Sequence, residues 1–300
     1  MATQQRSRSR RTTSSRHNGP RHVEAVLDPN WQNPYAPSAG ERESHHHALR
    51  SFALRRKRPR IILLSVLVVA LLVSTLASPW LAILAVILAV AAVLDVRRSM
   101  NTFERRGSNL GAEMLTAFEV GGTPKDRQRL ITVLDRLTAT FGVDAVSAFI
   151  IDDAGYNAAL APNGSSFSFF VTSSLMRDFE LIELEGVVAH CLARQRLGIL
   201  GRESASAMSN ATTESRRALA GSGLTYRADE VAAAAIRYPL GLSGALRKCA
   251  RQVIPSTSFF SSATYDQWRF IWFDVWSDRA TADLADLDDV ELRALALEEW

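Results

Sequence analysis

Residues 180 to 197 read ELIELEGVVAHCLARQRL. Its apolar side chains recur at intervals of three and four residues, which predicts one amphipathic helix. Along the apolar stripe lie Leu181, Leu184, Val188, Cys191 and Leu192. His190 and Arg194 are four residues apart, so they lie one above the other on the adjacent face. The predicted helix therefore carries a histidine and an arginine side by side next to its buried face.

The residues before this helix predict another helix, which begins and ends at recognisable capping residues. Thr123 followed by Pro124 is typical of a helix start, and Gly142 of a helix end. Between them the apolar spacing is helical, at Leu130, Ile131, Leu134, Leu137 and Phe141.

Three strands are predicted between the two helices. Residues 144 to 153, DAVSAFIIDD, are rich in β-branched and aromatic side chains. Residues 157 to 160 and 166 to 173 flank the turn dipeptide Asn163-Gly164, which predicts a hairpin. Further helices are expected after residue 197, around RADEVAAAAIRY before Pro239, over GLSGALRKCARQV and over residues 288 to 299. This order predicts an α+β domain over residues 107 to 300.

The first 60 residues differ from the rest in charge and composition. They contain thirteen Lys and Arg against four Asp and Glu, about +9, whereas residues 61 to 300 carry 22 − 27 = −5. They show no sustained apolar period, so we expect a disordered basic tail. His45, His46 and His47 lie in this tail and are expected to be a polar feature of it.

An uncharged run from Ile61 to Leu94 predicts a transmembrane helical hairpin over residues 61 to 96. Pro79 divides the run and predicts a turn at Ser78-Pro79-Trp80. Basic residues flank both ends of the run, which places both chain termini in the cytoplasm. A cleaved signal peptide is the alternative, although its basic n-region would be about 60 residues long. These expectations make the lipid bilayer and a membrane-associated protein the partners, with no specific nucleic acid.

In chain order these elements resemble the peptidase domain of the HtpX-like membrane zinc metalloproteases. The resemblance spans about residues 110 to 253 and depends on two segments. Residues 156 to 193, YNAALAPNGSSFSFFVTSSLMRDFELIELEGVVAHCLA, are similar to the family's hairpin and the start of its active-site helix. Residues 226 to 250, YRADEVAAAAIRYPLGLSGALRKCA, are similar to its second motif block. The resemblance implies a mostly helical, gluzincin-like fold with a small β-sheet.

In this family the active helix bears H-E-x-x-H, whose histidines bind zinc while the glutamate acts as general base. Here the matching residues read His190-Cys191-Leu192-Ala193-Arg194. The first ligand position keeps His190, but Cys191 takes the place of the general base and Arg194 that of the second ligand. The third ligand, the glutamate of E-x-x-A-D, falls on Thr225, although Asp229 still closes that motif.

The resemblance therefore implies a pseudopeptidase without a zinc cofactor. The other five histidines all precede residue 48, so the predicted domain contains a single histidine, His190. Arg194 has no lone pair to offer a metal and carries a permanent positive charge. We expect a non-catalytic binding, scaffold or regulatory protein. An active metalloendopeptidase with unrecognised ligands and a structural subunit of a membrane complex are the alternatives.

Two further hypotheses concern the lost site. Cys191 beside His190 invites a nucleophilic cysteine, but adjacent helical residues point about 100° apart and Cys191 lies on the apolar face. Arg194 is expected to form an ion pair with Asp229 or another carboxylate, which would replace the metal as the cross-link between two helices.

Two surfaces are candidates for partner binding. The first is a strand at the edge of the former substrate groove, which would pair with an extended peptide; it comprises Ser166, Phe167, Ser168, Phe169, Phe170, Val171 and Thr172. The second is a tryptophan stripe at four-residue spacing, Trp268, Trp272 and Trp276. The alternative for the stripe is packing on the domain core.

Overall fold

The structure, a computed structural model, describes residues 35 to 74, 80 to 144, 146 to 221, 223 to 275 and 289 to 300. These residues are mostly helical and contain one three-stranded sheet, so the predicted α+β class is confirmed. The strands are β1 (Val146–Ile151), β2 (Ala158–Asn163) and β3 (Ser166–Thr172). The helices are α1 (Ala39–Ser74), α2 (Trp80–Gly107), α3 (Leu110–Ala117), α4 (Pro124–Phe141), α5 (Ser173–Asp178), α6 (Leu181–Arg196), α7 (Ile199–Ala207), α8 (Thr213–Ala220), α9 (Leu224–Ile236), α10 (Pro239–Arg251), α11 (Ala263–Trp268) and α12 (Val290–Glu298).

Local sequence signals explain the bounds of α4. The Thr123 hydroxyl accepts a hydrogen bond from the Asp126 N–H, Pro124 occupies the first turn, and Gly142 ends the helix in the left-handed region. The apolar face of α4 is buried against β1 and α6. The predicted caps of this helix are confirmed.

The sheet has the order β1-β3-β2, with β3 in the centre. β2 and β3 form the predicted hairpin, whose turn residue Gly164 has φ +64°, while β1 pairs with β3 in parallel. Both edges of β3 are therefore paired, so the prediction that residues 166 to 172 form a free, peptide-binding edge is wrong.

Helix α6 lies at the centre of the domain. Residues 186 to 194 are all buried, and the helix packs against α4, α9 and α10. A Cβ atom at Gly186 would lie 2.7 Å from Cα of Leu242, so the backbones of α6 and α10 approach closely there. Residues 186 to 194 of α6 are thus enclosed by neighbouring elements, whereas Leu181 and Ile182 in its first turn are exposed.

The predicted tail is only partly described, since residues 1 to 34 lie outside the described residues. Residues 39 to 60, predicted to be disordered, are instead the first part of α1. His45 is buried, 3.4 Å from the Arg202 guanidinium, and Glu41 pairs with Arg227. The local sequence lacks an apolar period, but contacts with distant residues order it, so the prediction is wrong for this segment.

The transmembrane hairpin predicted over residues 61 to 96 is also wrong, because no helix in the described part of the chain is long and apolar enough to cross a membrane. The two-span membrane localisation is corrected accordingly, and Ser78 and Pro79 of the predicted turn lie outside the described residues.

Helices α1 and α2 pack along each other. Many of the apolar side chains that lie away from this contact are exposed. These include Ile62, Leu63, Val66, Val69, Val73, Val86, Ile87, Val90 and Val93. An exposed apolar surface of this kind is typical of a region that contacts another molecule.

Candidate functional site

His190 is completely buried on α6, where the resemblance places the first metal ligand. Its Nδ1 lies 2.6 Å from Oδ1 of Asp229 on α9, and its ring meets Phe273 edge to face. An ionised carboxylate only accepts hydrogen bonds, so Nδ1 carries the proton and donates it. Nε2 is buried and has no hydrogen-bond partner among the described residues. His190 is thus oriented by a carboxylate, as a metal-binding histidine would be.

Arg293 on α12 supplies the positive charge beside this pair. Its Nε donates to Asp229 Oδ2 at 2.7 Å and its Nη2 to Asp229 Oδ1 at 3.0 Å, which makes the ion pair bidentate. Its Nη1 donates to the Phe273 carbonyl at 3.1 Å, and Nη2 lies 3.5 Å from Nδ1 of His190. His190, Asp229 and Arg293 form one buried cluster that joins α6, α9 and α12, and we call it the His190 cluster.

Arg194 forms a second buried ion pair one turn further along α6. Its guanidinium bonds the Glu203 carboxylate of α7, with Nη2 2.6 Å from Oε2. It also donates to the backbone carbonyls of residues 270, 271 and 272 at 2.8 to 3.3 Å. The predicted ion pair of Arg194 is confirmed, but its partner is another carboxylate, Glu203 of α7. Asp229, the other candidate, pairs with Arg293.

The electrostatics of the His190 cluster follow from burial and from its neighbours. Burial lowers the pKa of His190 to about 4, although Asp229 opposes this shift. Burial would raise the pKa of Asp229, but Arg293 and His190 outweigh that effect and lower it to about 2. The cluster at neutral pH thus holds a neutral imidazole, a carboxylate and a guanidinium.

The stability of the chain is expected to fall as the pH decreases from about 6.5 to about 4. An unfolded histidine has a pKa of about 6.5, whereas His190 in the folded chain has a pKa of about 4. Between these values the unfolded chain binds the additional proton, so the free energy of unfolding decreases by about 3 kcal/mol over the interval. Urea titrations at a series of pH values measure this slope.

The matched control for the pH experiment is His190→Gln, which is expected to lose most of the slope. The pKa of His45 is also lowered, chiefly by burial, so His45→Gln separates that smaller contribution. An unchanged slope in His190→Gln would show that another group causes the pH dependence.

Cys191 is buried on the core side of α6, and burial raises the pKa of its thiol to about 12. The thiolate is the reactive form of cysteine, so this residue is unsuited to nucleophilic chemistry at neutral pH. Native chain is expected to react with a thiol reagent at least about 100-fold more slowly than the same chain in urea. The control is Ser147→Cys at an exposed site of β1, which should react at once. Fast native labelling that disappears in Cys191→Ala would contradict this assignment.

The residues present do not fit a zinc ion. Thr225 is buried in the first turn of α9, and Arg194 offers only donors. Among the described residues, no group of three His, Cys, Asp or Glu side chains could hold a metal. The Arg293 guanidinium beside His190 would also repel a divalent cation.

The two tryptophans of the predicted stripe that the structure describes do not share a helix. Trp268 ends α11, and Trp272 follows a short 3₁₀ helix at residues 269 to 271. Both rings are buried in an aromatic cluster with Phe118 and Phe259, so they are core residues and not a partner surface. Trp276 lies outside the described residues.

Sequence reasoning missed Glu203 and Arg293. Arg293 lies on the same face of α12 as Val290, Ala294 and Leu297, all of them buried. A single arginine within an apolar stripe is therefore the sequence feature that could have indicated the burial of Arg293. Glu203 lies in a stretch that resembles a polar loop in sequence, and no local signal indicates its burial.

No family model matches the chain, and no curated protein matches it in sequence.

Proposed function

We propose that this chain is a non-catalytic relative of the HtpX-like zinc metalloproteases, with a gluzincin-like fold, that binds a polypeptide partner without cleaving it. The observation that carries the proposal is the His190 cluster, in which the carboxylate-bound histidine is retained and a guanidinium supplies the positive charge. The motif resemblance over residues 110 to 253 supports the relationship to the family.

The chemistry of each former catalytic position supports a structural role. A peptidase of this family needs a base beside the metal-bound water, and Cys191 is a buried thiol with a raised pKa. It also needs a second ligand, and Arg194 is saturated by Glu203 and three carbonyls. Both side chains contribute to packing between α6, α7 and the segment around residue 271.

The outer edge of β1 is the strand edge that suits an extended partner segment. The Gly121 N–H donates to the Ile150 carbonyl at 2.7 Å, and Val120 bridges Ile151. Among the described residues, no backbone bond is made on that side by residues 146 to 149. The N–H and C=O groups of successive strand residues point to opposite edges of the strand. The N–H and C=O of Ala148 therefore point to the same outer edge as those of Ile150. A partner strand would bond there through its main chain.

The test is to mix the full chain with a fluorescently labelled, permanently unfolded polypeptide, with zinc present, and to follow anisotropy and cleavage together. We expect binding without cleavage, weakened at least about tenfold by Ala148→Pro, which removes an outward N–H and keeps the ladder to β3. Ser147→Thr on the same strand keeps its N–H and should bind normally.

Two outcomes would overturn the proposal. Cleavage that stops in His190→Ala would indicate an active metalloendopeptidase with unrecognised ligands. Neither binding nor cleavage would favour a scaffold subunit without a groove function.

A further inference from the structure

A groove lies between α1 and α2, outside the His190 cluster. Its volume is about 500 Å³, which falls within the roughly 300 to 1,000 Å³ of small-molecule sites. Ile61, Leu64 and Val68 line it from α1, and Ala89, Ala92 and Val93 line it from α2. Beyond its mouth, Ser65 is the one polar side chain among the lining residues. The groove therefore offers an apolar interior with few hydrogen-bonding groups.

The charged side chains of the groove lie together at one end. Lys57, Arg60 and Arg97 line the groove together with a single carboxylate, Asp95, so the charged lining carries a net charge of 3 − 1 = +2. Lys57 Nζ lies 3.3 Å from Asp95 Oδ2, and this pair balances one of the three cations. The guanidinium groups of Arg60 and Arg97 are the planar donors that bind carboxylate and phosphate well.

We propose that this groove binds a single-chain anionic amphiphile, such as a long-chain carboxylate, with its chain between α1 and α2 and its head group at Arg60 and Arg97. Such a ligand has the same segregation of charge and apolar surface as the groove. From Lys57 to Val69 the α1 side of the groove extends for about 18 Å, so an extended alkyl chain lies along it.

Charge complementarity favours this occupant over a second copy of the chain. Residues 61 to 94 contain no acidic side chain, so the apolar parts of α1 and α2 from a second copy would not compensate the charges of Arg60 and Arg97. A non-helical peptide would bring backbone groups that the apolar lining leaves without partners.

The experiment titrates the full chain with dodecanoate and with dodecyltrimethylammonium, both below their micelle concentrations, by calorimetry. We expect dodecanoate to bind at least about tenfold more tightly than the cation, because the mouth is cationic. Across octanoate, decanoate and dodecanoate the affinity should rise about fourfold for each methylene.

Two variants and a control make the test specific. Arg60→Gln with Arg97→Gln should remove the preference for the anion and leave the folding transition unchanged. Ala92→Trp should fill the groove and abolish binding, whereas Val86→Trp, on the exposed outer face, should not. The thermal transition of each variant confirms that it folds.

Equal binding of the anion and the cation would overturn the proposal. So would binding that both arginine substitutions leave unchanged. A chain that is dimeric in the absence of amphiphile and becomes monomeric in Ala92→Trp would instead identify a second copy as the occupant.

Discussion

Replacing Arg194 with alanine is expected to lower the free energy of unfolding by about 3 to 5 kcal/mol, a large part of the total of a typical domain. Arg194 is 1% exposed, and it holds the Glu203 carboxylate and the backbone carbonyls that follow α11. The substitution removes the guanidinium that binds the buried Glu203 carboxylate, and it removes hydrogen-bond donors from those carbonyls. Urea unfolding at pH 7 measures the loss.

The matched control is Arg136→Ala, which removes an arginine whose side chain is 57% exposed and pairs with Glu185. Exposed pairs contribute at most about 1 kcal/mol. The double variant Arg194→Met with Glu203→Leu should recover more than half of the loss, because it leaves no unpaired charge. Equal stability of Arg194→Ala and Arg136→Ala would show that the buried pair does not stabilise the domain.

Replacing Arg293 with methionine is expected to lower the free energy of unfolding by a similar amount, about 3 to 5 kcal/mol. Arg293 is fully buried and makes two hydrogen bonds to Asp229, which is itself 2% exposed. Without the guanidinium, Asp229 keeps only the neutral His190 as a partner. Methionine preserves much of the volume, so the measured loss reports charge and not a cavity.

A second measurement separates this charge effect from general loosening of α12. Arg293 lowers the pKa of His190, so Arg293→Met is expected to raise that pKa above about 4. An NMR titration of the His190 ring measures the shift. The control is Arg247→Met, which removes the surface ion-pair partner of Glu298. Glu298 lies on α12, as Arg293 does, so this variant should leave the His190 pKa unchanged. An unchanged pKa in Arg293→Met would contradict the His190 cluster.

The elements that the sequence predicts well are those with local signals. Thr123 and Gly142 cap α4, the Asn163-Gly164 turn joins β2 to β3, and the apolar period of residues 180 to 197 becomes α6. Each of these depends on residues within one or two turns of one another. The position of β3 between two strands was not predictable, because β1 pairs with β3 and not with β2, the strand that follows it in the chain.

The N-terminal helix shows the opposite case. Residues 39 to 60 have no apolar period, yet they are helical, with contacts from Glu41 to Arg227 and from His45 to Arg202. Partners more than 150 residues away cannot be inferred from local composition.

The candidate site was half predictable. The sequence shows that His190 is the single histidine after residue 47, and it indicates an ion pair at Arg194. It does not indicate which carboxylate that arginine binds, because Glu203 lies nine residues away on a helix without a recognisable pattern. Arg293, 64 residues from Asp229, becomes its partner only through the packing of α12 on α9.

The amount of zinc bound per chain tests most directly whether the His190 cluster takes the place of a zinc site. Purified full chain is equilibrated with excess zinc, freed of unbound metal and analysed beside His190→Ala, whose N-terminal histidines give the same background. We expect equal zinc in the two proteins, with no zinc attributable to His190. One additional zinc per chain in the parent, absent from His190→Ala, would contradict it.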